Sequence, residues 1–431
     1  MNSKQIKPMT LHFVPEREQS ICRCLGKWLA IGLATAGLPI FAEAPKDVAP
    51  VEKPVQFAQS QLHIQLLEVT QFIRAGEART AFSVDGSGLT AAVLDTGIRA
   101  THVDFAGRIA AKRNFTTDSN GNPDDATDGN GHGTNVSGII AANADHIGIA
   151  PGSKVVALKV LRNDGGGSFD SIDKALQWVI DNHAAFNISI VNMSLGAPTN
   201  DSNDNALGAD TVRTKIQALR AQNIPVVIAA GNDYFKFKAQ GMGYPAIARE
   251  CLSVGAVYDA NSGSFSYQSG AVANSTGPGR LCPFSQRLHP TTNADCRTDI
   301  FAPGAPVTSS GIENDHGESI DHGTSQATPV TVGVLLLMQE FHKRSTGKLP
   351  SVQDLETWLR NGAVEITDGD DEDDNVPHTN AKFLRLDAIN ALQAVRNDLT
   401  AQLLLQKQPA LQMETNPESK KTFRANAIDK R

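Results

Sequence analysis

From about Phe82 onward, short apolar runs alternate with amphipathic segments. The runs are Ala91–Leu94, Val155–Leu158, Ile188–Val191, Val226–Ala229 and Leu252–Val257. Between them, Ser168–Ala184 places Ile172, Ala175, Leu176 and Ile180 on one helical face. Thr211–Gln222 repeats the pattern with Val212, Ile216 and Leu219. Strands that are apolar on both faces, separated by helices, imply a parallel sheet covered on both sides. The expected fold is α/β: a three-layer, doubly wound domain with a mostly parallel central sheet. Active sites in such sheets lie at the carboxyl ends of the strands. Each run here ends in a polar or glycine-rich turn.

The pattern changes at both margins. Residues 45–83 are polar and mixed, with helical periodicity only around Leu62–Ile73, and are expected to be a linker or short pro-segment. The domain itself is expected over 84–396. A last helix is expected over Arg385–Val395, followed by a frayed polar tail over 397–431. At the amino end, basic residues from Lys4 to Lys27 precede an apolar run, Trp28–Phe41, and the small-x-small triplet Ala42-Glu43-Ala44. That order predicts a signal peptide over 1–44, cut near Ala44 or near Ala36, and hence a secreted or periplasmic protein. A membrane anchor is the alternative. Gly32, Gly37 and Pro39 and the short run count against it, so no stable span is expected in the mature chain.

Charge narrows the partners. The formal net charge is -7, and no Lys/Arg cluster stands outside the termini, so nucleic acid is an unsuitable ligand. Nothing in the sequence sets an oligomeric state. Export would leave three of the five cysteines, Cys251, Cys282 and Cys296. Cys282 and Cys296 bracket a proline-containing loop and are expected to pair in an oxidising compartment. Cys251 opens an apolar run and reads as a small core residue.

Four motifs carry chemistry. Asp95 closes the run Ala92-Val93-Leu94 and is followed by Thr96-Gly97, which holds a carboxylate rigidly at a strand end. Such a group can orient an imidazole; it can also cap a turn, and Asp-Thr-Gly equally matches an aspartic protease. His132 lies in Gly131-His132-Gly133-Thr134, where flanking glycines allow close approach to a second strand end. Ser325 lies in Gly323-Thr324-Ser325-Gln326-Ala327-Thr328-Pro329, before the apolar run Val330–Met338. That places a hydroxyl at the amino end of a buried helix, where a developing anion is favoured, although an N-cap serine would look the same. Asn232 ends Ala229-Ala230-Gly231-Asn232 and can donate an amide N–H to an oxyanion, or simply sit in a turn.

In this order the four motifs resemble those of the subtilisin-like serine proteases. Asn192-Met193-Ser194-Leu195-Gly196, Gly148-Ile149-Ala150-Pro151, Gly243-Tyr244-Pro245 and Phe301-Ala302-Pro303-Gly304 extend the resemblance over about 84–396. The resemblance implies a serine endopeptidase acting on protein or peptide substrates. Ser325 would be the nucleophile, His132 the general base and acid, and Asp95 the group that orients it. Asn232, with the Ser325 N–H, would form the oxyanion hole. Ser194, Leu195 and Gly196 would pair with an extended substrate. Ala230, Gly231 and Gly243 would line the first specificity pocket, with an open floor at Gly243 for a large apolar or extended side chain, while Asp233 would favour a basic one. His102 and His322 are expected to be structural.

No metal ligand is expected among the site residues and no cofactor is required for the chemistry. The segment Asn143–Gly148 is shorter than the loop that holds calcium in many relatives. The acidic stretch Asp368–Asp374 is expected to be a solvated loop, with structural Ca²⁺ as the alternative. An aspartic protease would need a second Asp-Thr/Ser-Gly in the chain or from a second copy, and would leave the histidine motif unexplained. A pseudoprotease would not need the hydroxyl and imidazole that are both present.

Overall fold

The computed structural model describes residues 47–48, 66–208 and 210–415. In chain order the elements begin with β1 (Asp47–Val48), α1 (Leu67–Phe72), α2 (Ala75–Phe82), β2 (Thr90–Asp95) and β3 (Ile109–Asn114). There follow α3 (His132–Ala141), β4 (Lys154–Lys159), β5 (Gly167–Ser168), α4 (Phe169–Phe186), β6 (Ile188–Met193), α5 (Thr211–Ala221), β7 (Val226–Ala229) and α6 (Tyr234–Phe237). Next come β8 (Leu252–Tyr258), β9 (Phe265–Ser266), β10 (Val272–Ser275), β11 (Ile300–Ala305), β12 (Val307–Ser310), β13 (Glu318–Asp321) and α7 (Thr324–Thr346). The last are α8 (Val352–Asn361), β14 (Val364–Thr367), β15 (Asp373–Asp374), β16 (Lys382–Arg385) and α9 (Ala388–Thr415).

The central sheet has nine strands in the order β14-β16-β11-β8-β7-β6-β2-β4-β3. Every neighbouring pair is parallel except the edge pair β14–β16. The two-residue period of a strand sends Ala91 and Val93 of β2 to one core and Ala92 and Leu94 to the other. α3 and α7 cover the first face, and α4 and α5 cover the second. This is the expected three-layer α/β arrangement. No helix among the described residues is long and apolar enough to cross a membrane.

Three expectations need correction. Residues 66–82 are neither linker nor detached: Leu66, Val69, Ile73, Ala75, Ala78 and Phe82 are buried in the first core. Arg74 also makes a forked pair with Asp387 at the start of α9, with Nε and Nη2 contacts of 2.9 and 2.6 Å. The carboxyl-terminal helix does not stop at Val395. α9 runs to Thr415, with Leu403, Leu404 and Leu405 exposed. Cys282 and Cys296 are both free thiols, because the loop between them delivers Cys282 to one sheet face and Cys296 to the other. The proposed signal segment, 1–44, lies outside the described residues.

Candidate active site

Asp95 is the last residue of β2 and is buried. Its backbone carbonyl accepts from the Val160 and Leu161 N–H groups at 2.9 and 3.1 Å, so the strand end cannot fray. Its Oδ1 accepts from the Thr96 N–H at 2.7 Å and lies 2.8 Å from His132 Nδ1. His132 is the first residue of α3, and the ring is buried. The approach demands glycine: a Cβ on Gly133 would stand 2.3 Å from the Gly97 carbonyl oxygen.

A residue without an assigned role in the sequence builds this corner. The buried Asp128 carboxylate accepts from the N–H groups of Asn130 (2.9 Å), Gly131 (2.8 Å) and Thr134 (2.9 Å). It also accepts from the hydroxyls of Thr134 (2.7 Å) and Thr96 (2.9 Å). An anion at the amino end of α3 satisfies the orphan N–H groups there and fixes the turn that presents His132. Its spacing, four residues before His132 in Asp128-Gly129-Asn130-Gly131-His132, is the signal that would have found it. Lys159 is the second such residue. It sits opposite Asp95 in register, buried, with Nζ on the Thr96 carbonyl (2.6 Å), Asn163 Oδ1 (2.8 Å) and Asp118 Oδ2 (3.1 Å).

Ser325 is the second residue of α7 and is fully buried. Its hydroxyl donates to the Ser194 carbonyl at 3.1 Å, and the Ser194 hydroxyl donates to the Ser325 carbonyl at 2.7 Å. Asn192 Nδ2 donates to the Ser194 hydroxyl at 3.0 Å. Asn232 Oδ1 accepts from both the N–H and the hydroxyl of Thr324, at 3.0 and 2.8 Å. Two donors on the oxygen fix which way the amide faces, and its N–H₂ is left as the donor of the group.

Two half-sites thus form, Asp95 with His132 and Ser325 with Ser194 and Asn232. They are joined because α3 packs on α7, with Gln326 Nε2 reaching Asn135 Oδ1 at 3.4 Å. Those two residues stand one position after Ser325 and one turn after His132. The structure therefore places the imidazole and the hydroxyl at the heads of two packed helices.

Beside them, the Ala197 N–H donates to the Tyr244 carbonyl (2.7 Å) and the Gly243 N–H to the Ala230 carbonyl (2.8 Å). Ser194–Gly196, Gly243 and Ala230–Gly231 are therefore neighbours. A Cβ on Gly243 would lie 2.9 Å from the Ala197 carbonyl oxygen, so a side chain at this position would force a shift. Asp233 is raised above the ordinary carboxylate range by burial, which the nearby Lys236 opposes.

The remaining candidates are tied into local contacts. His102 Nε2 is 2.8 Å from the Gly317 carbonyl oxygen. His322 is held down at about 3 by burial, and its Nδ1 lies 3.2 Å from the Tyr267 hydroxyl. Burial pushes the Cys251 thiol far up, so it is a poor nucleophile. The acidic stretch is only partly a solvated loop, because Asp368 is buried. Asp368, Glu372 and His378 offer donors within 4.8 Å of one another. Asp368 Oδ2 already accepts from the Thr379 N–H and hydroxyl and lies 3.1 Å from Arg287 Nε, while Asp370, Asp371 and Glu372 form a second such group of carboxylates.

The family model described as the Subtilase family matches residues 86–384. An intracellular serine protease of Paenibacillus polymyxa is 30% identical over 304 residues, which is 68% of this chain and 81% of that protein. Subtilisin of Bacillus pumilus is 32% identical over 261 residues, covering 60% of this chain and 78% of that protein. The major intracellular serine protease of Bacillus subtilis (strain 168) is 30% identical over 286 residues, covering 65% of this chain and 77% of that protein.

Proposed function

From the premise that this chain belongs to the subtilase family of serine endopeptidases, we propose that it cleaves protein or peptide substrates through Asp95, His132 and Ser325. The observation that carries this reading is the 2.8 Å contact between Asp95 Oδ1 and His132 Nδ1, at the head of a helix packed on the one whose second residue is Ser325. Asp95 holds the proton on Nδ1, which leaves Nε2 as the basic nitrogen. A turn of the Ser325 hydroxyl away from the Ser194 carbonyl gives its proton to Nε2, and Oγ bonds to the scissile carbonyl carbon. The oxyanion is held by Asn232 Nδ2 and the Ser325 N–H. The imidazolium then protonates the leaving amine as the C–N bond breaks, and water repeats the cycle on the acyl-enzyme. Ser194, Leu195 and Gly196 align the substrate backbone, and Ala230, Gly231 and Gly243 border its first side chain. The cycle requires no cofactor.

Phenylmethylsulfonyl labelling tests this reading. One adduct on Ser325 with loss of casein hydrolysis is expected; an unlabelled chain, or a Ser325→Ala variant that keeps full activity, overturns it. Export is a separate part of the proposal and rests on the basic residues Lys4–Lys27, the apolar run that follows and Ala42-Glu43-Ala44. Fractionation with sequencing of the mature amino terminus is expected to find the protein outside the cytoplasm, cut near Ala36 or Ala44. An uncut cytoplasmic chain rejects export and leaves the peptidase reading intact.

A further inference from the structure

Gln286 reaches the oxyanion asparagine from behind. It is fully buried, outside every regular element, on the loop that precedes β11. Its backbone N–H donates to the Gly231 carbonyl at 2.8 Å, and its Oε1 lies 3.5 Å from the Asp233 N–H. The residues on either side of Asn232 therefore both rest on this one residue. Its Nε2 donates in the opposite direction, to the Thr199 carbonyl at 2.9 Å and Asn200 Oδ1 at 2.7 Å. Asn200 is fixed as the acceptor because its own Nδ2 donates to the Ala239 carbonyl at 3.1 Å.

The contact with Gly231 is closer still. Gly231 has φ +112°, and a Cβ there would stand 2.0 Å from Gln286 Oε1. The amide thus fills the space a side chain would have taken and braces the turn from the side opposite Thr324. Asn232 is consequently set by two clamps, Thr324 on its side-chain oxygen and Gln286 on the backbone at both flanks. A donor in an oxyanion hole acts only if it is already aimed at the developing charge, and a displacement of about 1 Å can cost roughly 10²-fold.

We propose that Gln286 is a positioning residue for the reaction, holding the Gly231–Asp233 turn against the Thr199–Asn200 segment so that Asn232 is aimed before substrate arrives. This rests on the peptidase reading above. It acts through Asn232 and touches no substrate itself.

The test is a double-mutant cycle with kinetics expressed per active site, counted by burst titration with an activated ester. Gln286→Met keeps the volume and removes the side-chain hydrogen bonds, leaving the backbone bond to Gly231 in place. Its kcat is expected to fall about tenfold with KM within about twofold, and that loss is expected to vanish in an Asn232→Ala background. Asn200→Ala, which removes one acceptor on a partly exposed residue, is expected to show a smaller kcat loss with the same dependence on Asn232, and it carries the test if Gln286→Met does not fold. Two results overturn the proposal: kcat per active site within twofold of the parent in the variants that fold, or a loss that persists undiminished without Asn232. A parent chain that gives no burst defeats the peptidase reading itself, which is a different result from either.

Discussion

Among the described residues, two buried Asp–His pairs have nearly equal geometry and different surroundings. Asp95 lies 2.8 Å from His132 Nδ1, and Asp104 lies 2.7 Å from His146 Nδ1. Both aspartates and both imidazoles are buried. The Asp104 carboxylate, however, also accepts from the His146 N–H at 2.9 Å and the Ser310 hydroxyl at 2.6 Å. On its far side His146 Nε2 meets Glu318 at 3.5 Å. The Ser310 hydroxyl is thus spent on the acid, and the ring is closed between two carboxylates. The second pair ties Asn143–Gly148 to the β12–β13 hairpin. The first stands at a strand end, on a helix that packs against α7. A short Asp–His contact alone does not identify a catalytic dyad; what the ring's other edge meets decides the role.

The sharpest way to break this comparison is to make the same change in both pairs. Asp95→Asn is expected to lower kcat by about 10⁴-fold, because the amide presents the wrong partner to the imidazole, with little change in melting temperature. Asp104→Asn is expected to do the reverse, losing about 3–5 kcal/mol of stability while activity per active site stays near the parent value. Calorimetry alongside burst-normalised kinetics distinguishes the two; equal kinetic losses would show that the second pair also serves catalysis.

Asn232→Ala comes next, with an expected loss of about 10²-fold in kcat and little change in KM, the size known for removing such an asparagine from subtilisin. An unchanged kcat would remove Asn232 from the oxyanion hole.

The pH dependence gives a smaller effect. Burial pushes Asp104 up, but its hydrogen bonds from His146 and Ser310 outweigh this and hold it at about 2. Burial lowers His146, but Asp104 and Glu318 outweigh it, so the net direction is upward. The depressed carboxyl stabilises the fold above its unfolded value, near 3.8, and that stability is lost as pH falls toward 2. The raised imidazole stabilises the fold below its unfolded value, near 6.5, and that stability is lost as pH rises through the folded value. The clamp is therefore strongest between about pH 4 and 6.5. Other groups facing it are His102, whose Nδ1 is 3.4 Å from Asp104, and the exposed His316–Asp145 pair. His146→Gln is expected to flatten the fall of melting temperature above pH 6.5 while leaving the pH–rate profile in place. An unaltered melting curve across that range would refute the clamp.

The smallest effect expected is none: intact mass should not change on reduction, since the thiols of Cys282 and Cys296 belong to opposite faces of the sheet.

The sheet was legible because buried parallel strands are apolar at every position, as in Val155–Leu158 and Val226–Ala229. Asp95, His132, Ser325 and Asn232 were legible because each sits in a local motif at a strand or helix end. The periodicity around Leu62–Ile73 announces α1 only in part and no pattern announces α2, for a local reason. Their first-turn flanks, Leu66 and Arg74, adopt left-handed conformations with no side-chain cap, so the polar signal that announces a helix start is missing. The pairing of Cys282 with Cys296 failed because sequence distance says nothing about which face of a sheet a loop serves. Lys159 and Gln286 escaped notice because their partners lie on separate segments and leave no local pattern. Asp128 was the one residue of this kind that spacing alone could have revealed.

The burial of Leu66 and the fork from Arg74 to Asp387 bear on how the enzyme can be trimmed. A cut behind Leu66 removes side chains buried in the first core, and one behind Arg74 also takes away the fork to Asp387. Beyond that point scission would unpin the last helix as well as the first, and the two ends of the chain would come loose together.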